Sequence, residues 1–396
     1  MKYDICIIGG FGHVGLPLSI AFAQKGLKVC AFDISKEMYN IISTGKMPFM
    51  EEGSEELLQK VLMSNNLILS LDPESISKSH TVIITIGTPV DSHLSPQLNV
   101  LESTIIDYFK YFKEEQLIIL RSTIYPNTTR KIHRLFENKG KKIYLAFCPE
   151  RIVQGHAIKE LSSLPQMVSS TSEEGLSKAV ALFKNLTNDI VIAKPEEAEL
   201  AKLFSNTWRY IKFAAANQLF ILSNEAGVDF YSVYKIMTHN YERTTDMPVA
   251  GFASGPCLYK DTVQLNSFNN NNFPLGSSAI MVNEGLPFYI FNKIKQKYDL
   301  KSKSVGILGM AFKSDIDDKR DSLSYKLKEL FEFEAKKVYC SDLYIKDENF
   351  VTAEELVNAA DIIILATPHK EYAKLRISEK KILVDIWNLY KRGCLI

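Results

Sequence analysis

Apolar positions along the chain follow two periods. Over residues 1–195, short unbroken apolar runs alternate with stretches at helical spacing. The runs are YDICIIG (3–9), LKVCAFD (27–33), HTVIITIG (80–87), EQLIILRST (115–123), KKIYLAF (141–147) and NDIVIA (188–193). Such runs predict strands buried on both faces, hence a mostly parallel sheet covered by helices on both sides. Ligand contacts gather at the C-terminal strand ends of sheets of this kind, where GTPVD (87–91), RSTIYP (121–126) and CPERIVQG (148–155) fall. From Glu196 to about Ala226 the spacing is helical without a break. Pro195 suits its start, the acidic first turn complements the helix dipole, and Gly227 suits its stop. A helix this long, apolar around much of its girth, is expected to act as a spine between domains and as a subunit interface. SFNNNNFPLG (267–276) reads as a loop, after which alternation resumes in KSVGILG (303–309), KKVYCSD (336–342), ADIIILATP (360–368) and KILVDIW (381–387). The expected layout is α/β, with doubly wound domains at 1–195 and 301–396 and a central helical domain at 196–300.

The first strand runs into GGFGHVG, so Gly10, Gly12 and Gly15 satisfy G-x-G-x-x-G, with Phe11, His13 and Val14 between them. Glycines there allow a tight turn and close approach of the backbone to a pyrophosphate, which the following helix N-terminus stabilises. LPLSIAFAQKG reads as that helix, and the next strand ends at Asp33, 18 residues beyond Gly15. A carboxylate at that place accepts hydrogen bonds from a ribose diol and repels a 2′-phosphate, which points to NAD over NADP. A simple glycine-rich turn would account for the glycines but not for Asp33. Both flanking domains are therefore expected to be Rossmann-like.

Composition narrows the partners. Lys plus Arg total 47 and Asp plus Glu 46 in 396 residues, so no global field favours nucleic acid or a membrane surface. The six cysteines, Cys6, Cys30, Cys148, Cys257, Cys340 and Cys394, are scattered without metal-type spacing. That usage fits a reducing, cytoplasmic compartment, and no apolar stretch approaches membrane-spanning length.

One cysteine stands apart. In GFASGPCLYKD (251–261), Cys257 is preceded by small residues and followed by Lys260 and Asp261. Small residues let a ligand lie against the main chain, and a thiolate beside a base or cation is a strong nucleophile. The plainer reading is a buried cysteine near a turn. Lys202 and Asn206 lie four apart, on one face of the long helix. An ammonium and an amide aimed at one point form an oxyanion site; alone, the pair reads equally well as a solvated Lys and an ordinary helical Asn.

The glycine turn, GTPVD, RSTIYP, CPERI, KLFSN, GFASGPCLYKD and GMAFKSDIDDKRDS, in this order, resemble the UDP-glucose/GDP-mannose dehydrogenase family of nucleotide-sugar dehydrogenases. The resemblance implies oxidation of a sugar C6 alcohol to a carboxylate with two NAD, through a cysteine thiohemiacetal and thioester. By it, Cys257 is the nucleophile, Lys202 and Asn206 stabilise the oxyanion, and Asp261 acts with Thr123 and a water in proton transfer. Glu150 serves thioester hydrolysis; on its own, a Glu in PER reads as a surface ion pair. Arg243 matches an arginine reaching the neighbouring subunit's substrate. Phe312 and Lys313 contact substrate, with Arg151, Gly251 and Phe252 also lining it. Thr88, Pro89, Thr123, Gln154 and Arg320 contact the cofactor. DIDDKRD (315–321) could otherwise be a solvated charge run.

The chain departs from the commoner family patterns at Ser254-Gly255-Pro256 before Cys257, at Gln154 where UDP-glucose enzymes tend to have Glu, and at Met38, a position often basic and near the adenosine ribose; the first two bear on the sugar. PER followed by HAIKELSSLPQMV resembles the branch acting on UDP-N-acetylhexosamines such as UDP-N-acetylmannosamine, with UDP-glucose as the alternative. A two-electron β-hydroxyacid-type dehydrogenase shares the glycine turn and the Lys-x-x-x-Asn helix but has no use for Cys257. A catalytically dead nucleotide-sugar binder would have lost Lys202, Asn206, Cys257 or Asp261, all present. The expectation is a cytoplasmic homodimer built on the long helix, binding NAD and a UDP-sugar and no metal.

Overall fold

A computed structural model describes residues 2–87, 97 and 99–396. The chain forms two compact units, Met1–Ser205 and Asn206–Ile396. The division falls inside one continuous helix, Pro195–Glu225, the spine predicted from its uninterrupted helical spacing.

In the first unit eight strands form one sheet in the order β3-β2-β1-β4-β5-β6-β7-β8. They are β1 (Tyr3–Ile8), β2 (Val29–Phe32), β3 (Leu67–Ser70), β4 (Ser79–Ile84), β5 (Leu117–Leu120), β6 (Tyr144–Phe147), β7 (Gln166–Ser170) and β8 (Ile190–Ala193). All neighbours pair parallel except β6 with β7. The order reverses beside β1, between β2 and β4, and that crevice is where a doubly wound sheet holds its ligand. Ile5, Ile7, Val29 and Ala31 pack into one face's core, and Ile8, Phe32, Val82 and Ile118 into the other's, as fully apolar strands require.

The second unit carries a parallel sheet ordered β10-β9-β11-β12, from β9 (Ser304–Leu308), β10 (Lys337–Ser341), β11 (Ile362–Leu365) and β12 (Ile382–Val384). Helices Leu258–Phe268 and Pro274–Lys297 precede it, separated by the Asn-rich turn. One core joins Phe220, Leu286 and Ile290 of the helices to Val305, Ile307 and Ile364 of the sheet. Two strands, β3 and β7, were not marked by the apolar pattern. Among the described residues no helix is long and apolar enough to cross a membrane.

Candidate active site

The candidate site residues fall into two sets, one in each unit. In the first, β1 ends at the glycine turn and helix Gly15–Gln24 starts there, with Val14 at its head and no side chain capping it. A Cβ on Gly15 would lie 2.1 Å from the Gly9 carbonyl oxygen, and one on Gly10 2.8 Å from Ala31 Cα, so both are glycine because the fold closes on them. Gly12 differs: its nearest neighbour is 3.6 Å away, an ordinary contact. The protein does not need glycine there, whereas a pyrophosphate laid over the turn does. Asp33, just past β2, accepts the Phe11 N–H on Oδ2 at 3.2 Å and the Ser35 N–H on Oδ1 at 3.1 Å, which locks the carboxylate beside the turn. The His13 ring stacks on Phe49 at 4.1 Å. These groups fit a dinucleotide: uncapped helix N–H groups for its phosphates and a fixed carboxylate for a ribose diol. Thr88 and Pro89 lie outside the described residues.

Glu150 is not in a surface ion pair. It is buried past the end of β6, and its Oε2 accepts from Nη2 of Arg121, the fully buried residue following β5. Arg121 also donates to the Cys148 carbonyl at 2.8 Å and to Gln166 Oε1 at 2.9 Å, and stacks over Phe183. Glu150 Oε1 accepts the N–H groups of Arg151 (2.7 Å) and Ile152 (3.0 Å), so the carboxylate is fixed at both oxygens. Arg151 turns its guanidinium to the Pro165 carbonyl. Gly155 N–H reaches Glu51 at 3.0 Å, tying the loop that carries Gln154 to residues before helix Ser54–Met63. Burial pushes the Glu51 carboxyl up despite backbone N–H groups directed at it.

A residue that the sequence did not mark ties the long helix to the segment after Thr123. Glu199, buried on the spine helix one turn before Lys202, accepts Asn127 N–H (2.6 Å), Thr129 N–H (2.8 Å) and Thr129 Oγ1 (2.6 Å). It caps helix Thr128–Asn138, which begins where the Thr123 loop ends. Desolvation raises its pKa, and those three bonds oppose the rise.

In the second unit, Cys257 heads helix Leu258–Phe268 and is exposed, while the other five cysteines are buried. Asp261, one turn on and fully buried, accepts from Asn206 Nδ2 at 2.6 Å. Lys260 Nζ lies 3.3 Å from its other oxygen. Asn206 Nδ2 carries two hydrogens, so one remains for an oxyanion.

The segment leading to Cys257 is held by groups far off in sequence. Asn217 brackets Gly251, accepting its N–H at 2.9 Å and donating to its carbonyl at 3.0 Å, and donates also to Asn283. A Cβ on Gly251 would lie 2.3 Å from the Trp387 ring, and one on Gly255, where φ is +99°, 2.3 Å from the Phe312 ring. Phe252 is buried beside this bracket. Ser254 Oγ donates to the Phe312 carbonyl at 3.1 Å, and Gly255 N–H to that of Asp321 at 3.2 Å. Phe312 and Lys313 therefore sit in the turn on which the cysteine loop rests. Arg320 grips Asp318 with two nitrogens, at 3.0 and 2.6 Å. Arg243 is exposed on the short turn Glu242–Thr244 and lies over the Tyr241 ring.

The glycine turn with a fixed Asp33 in the first unit is the dinucleotide site of a dehydrogenase, and the second unit holds an exposed cysteine one turn before buried Asp261. The chain belongs to the UDP-glucose/GDP-mannose dehydrogenase family: the family's NAD binding domain matches residues 3–187, its central domain 196–285 and its UDP binding domain 306–392. The UDP-N-acetyl-D-mannosamine dehydrogenase of Pyrococcus horikoshii is 30% identical over 96% of this chain and 95% of its own. That of Methanococcus aeolicus is 28% identical over 98% and 89%. The solved structure of the UDP-D-ManNAc dehydrogenase from Pyrococcus horikoshii aligns with a TM-score of 0.90 at 29% identity, covering 99% of this chain and 97% of that one. An NAD-dependent nucleotide-sugar dehydrogenase accounts for the fold and for both sets of residues, and the β-hydroxyacid alternative is set aside.

Proposed function

We propose that this protein oxidises the C6 alcohol of UDP-N-acetyl-D-mannosamine to the carboxylate in two steps, through Cys257. The sugar assignment is supported by relatives of that printed activity that align along nearly the whole chain. The covalent route rests on one observation: the exposed thiol heads the helix whose first turn holds buried Asp261 against Asn206.

The turn at Gly10–Gly15 with Asp33 would hold NAD, which would supply the hydride acceptor for each oxidation. The chain's residues do the rest. Asp261, with Thr123 and a water, takes the proton released from the C6 hydroxyl. The Cys257 sulfur adds to the aldehyde carbon, and the resulting alkoxide is stabilised by the Lys202 ammonium and the remaining Asn206 N–H. Loss of the second hydride leaves a thioester on Cys257. Glu150, fixed by Arg121, activates the water that releases the acid and returns the thiol. Lys313, Phe312 and Arg151 are assigned to substrate, Arg320 and Gln154 to cofactor.

The working form is a homodimer. Phe204, Trp208, Leu219 and Leu222 are exposed along the spine helix at spacings that return to one face. An apolar stripe of this length suits a stable interface, which buries on the order of 1,000 Å² or more. Arg243, exposed in the monomer, then serves the substrate of the partner subunit. Three domains (1–195, 196–300 and 301–396), a reducing cytoplasm and a place in surface-polysaccharide synthesis complete the reading, supported by the free thiols at all six cysteines and by the product's nature as a sugar acid.

Purified protein given NAD and a panel of UDP- and GDP-sugars tests this. UDP-N-acetylmannosamine should give the highest kcat/KM and two NADH per sugar. A preference for UDP-glucose would replace the sugar assignment, and one NADH per sugar would sink the covalent route.

A further inference from the structure

Cys257 stands between two anchors. Four residues after it, Asp261 accepts from Asn206 Nδ2 at 2.6 Å; six residues before it, Gly251 is paired with Asn217. Asn206 and Asn217 belong to the same helix, Pro195–Glu225. They lie eleven residues apart (217 − 206), about three helical turns, so both amides leave one face of the helix roughly 16 Å from each other. Asn217 has no exposed surface, and its carboxamide engages both backbone groups of Gly251, accepting the N–H on Oδ1 at 2.9 Å and donating from Nδ2 to the carbonyl at 3.0 Å. A neighbouring antiparallel strand would make the same exchange; here one side chain supplies it. The second Nδ2 hydrogen goes to Asn283 Oδ1 at 2.9 Å, and Asn283, also fully buried, donates to the Tyr210 carbonyl at 3.0 Å. Turning the Asn217 amide over would set its own N–H groups against that of Gly251, so its orientation is fixed. The Trp387 ring closes the place of a side chain on Gly251, 2.3 Å from where a Cβ would stand.

We propose that Asn217 is a positioning residue for the nucleophile: it fixes Gly251 while Asn206 fixes Asp261, so that one helix sets where the Cys257 sulfur stands relative to the Asn206 amide. The proposal rests on the reading of Cys257 as the nucleophile, and Asn217 acts only through Gly251. In the first oxidation the alcohol gives up a hydride and a proton, and no bond to sulfur forms. In the second, the sulfur bonds to the aldehyde carbon while the oxygen on that carbon meets the remaining Asn206 N–H; the adduct then loses a hydride and becomes the thioester. Both contacts must be made at once, and misplacement by about 1 Å costs on the order of 10²-fold. A shifted Gly251 and Phe252 would weaken sugar binding for both steps alike, whereas the partition between the steps reads the placement of the sulfur. A carboxamide suits the task because it donates and accepts together; an ionised Asp lacks the donor, and Ser offers a single oxygen.

Single-turnover oxidation by the full-length enzyme, with excess NAD and with semicarbazide present to capture free aldehyde, separates the two steps. The sugar is UDP-N-acetylmannosamine, or UDP-glucose should the panel prefer it. Wild type should give two NADH per sugar and no semicarbazone. Asn217→Ala should slow the second oxidation roughly 10–100-fold more than the first, so that NADH per sugar falls toward one and the C6 semicarbazone appears in the mass spectrum. Asn217→Ser, which can keep at most one bond to Gly251, should fall between the two and serves in place of an alanine variant that does not fold. A merely structural role would lower the folded fraction, and with it both oxidations equally, leaving two NADH per sugar. That stoichiometry in Asn217→Ala, or in Asn217→Ser where only that variant folds, overturns the proposal. Cys257→Ser, run alongside, reports on the reading beneath it. If Cys257→Ser keeps two NADH per sugar, the nucleophile assignment falls; if it releases aldehyde and the Asn217 variants do not, only the role of Asn217 falls.

Discussion

Asn206 and Asp261, 55 residues apart, meet at 2.6 Å in the interior, the amide donating to a carboxylate with no exposed surface. Fully desolvated, the carboxylate is tolerable only while its partners are in place. Asn206→Ala should therefore cost about 1–3 kcal/mol in denaturant unfolding, and turnover should fall roughly 10²–10³-fold with the lost oxyanion donor. Asn206→Asp would bring two carboxylates together, one of which must then keep its proton. Its folded-state pKa lies above the unfolded value, so this variant should gain stability as pH falls and lose it as pH rises. Equal stability of the two variants at every pH would contradict the pairing.

The glycine turn separates packing from binding. Gly15→Ala should unfold the turn, since the new methyl meets a carbonyl at 2.1 Å. Gly12→Ala should stay within about 0.5 kcal/mol of wild type in stability and still lose most of its NAD affinity. Titrating NAD against protein fluorescence, alongside thermal melting, checks both; tight NAD binding by Gly12→Ala would mean that the pyrophosphate lies elsewhere.

Much of this was legible in the sequence. Most strands of the two sheets follow the apolar runs, the long helix follows the helical spacing, and Asp33 stands just past β2, where its distance from Gly15 put it. β3 and β7 escaped because LILS and QMVSS are short and partly polar, and β7 runs antiparallel to β6, against the pattern of its neighbours. Glu150 looked like a surface residue because its partner, Arg121, is 29 residues earlier, at what reads as a strand's polar exit. Asn217 and Glu199 sit within the helical run and show their purpose only through Gly251 and Thr129. Local periodicity encodes burial; it does not encode which distant group completes a buried hydrogen bond.

Arg121 and Glu150 should behave as a unit. Arg121→Met leaves a buried carboxylate without its cation and should cost roughly 3–5 kcal/mol. Glu150→Gln keeps the shape and should be milder in stability. Its defect should be in hydrolysis, with the sugar retained on Cys257 as a mass increase on the intact protein. A clean, unmodified mass during turnover would assign hydrolysis to another group.

Acid should reach the second sheet through Asp342. Burial alone would raise its carboxyl, but the His369 hydrogen bond and charge and the Tyr344 and Ile345 N–H groups overcome that and lower it to about 2. The folded-state value lies below the unfolded one, so its contribution is present above pH ~4 and lost as pH falls toward ~2, roughly 2 kcal/mol in all. Denaturant midpoints measured through that window should fall steeply for wild type and less so for Asp342→Asn, which starts from a lower plateau.

Trp387, just past β12, occupies the space that a side chain on residue 251 would take, and Phe312, just past β9, does so for residue 255. The segment carrying the nucleophile was thus shaped against side chains contributed by the last hundred residues. Anyone exchanging the nucleotide-binding sheet for that of a relative with another sugar preference would be importing a foreign mould. A working chimera should have to bring residues 251–257 from the same donor, and shuffling at a junction between them should yield folded but inactive protein.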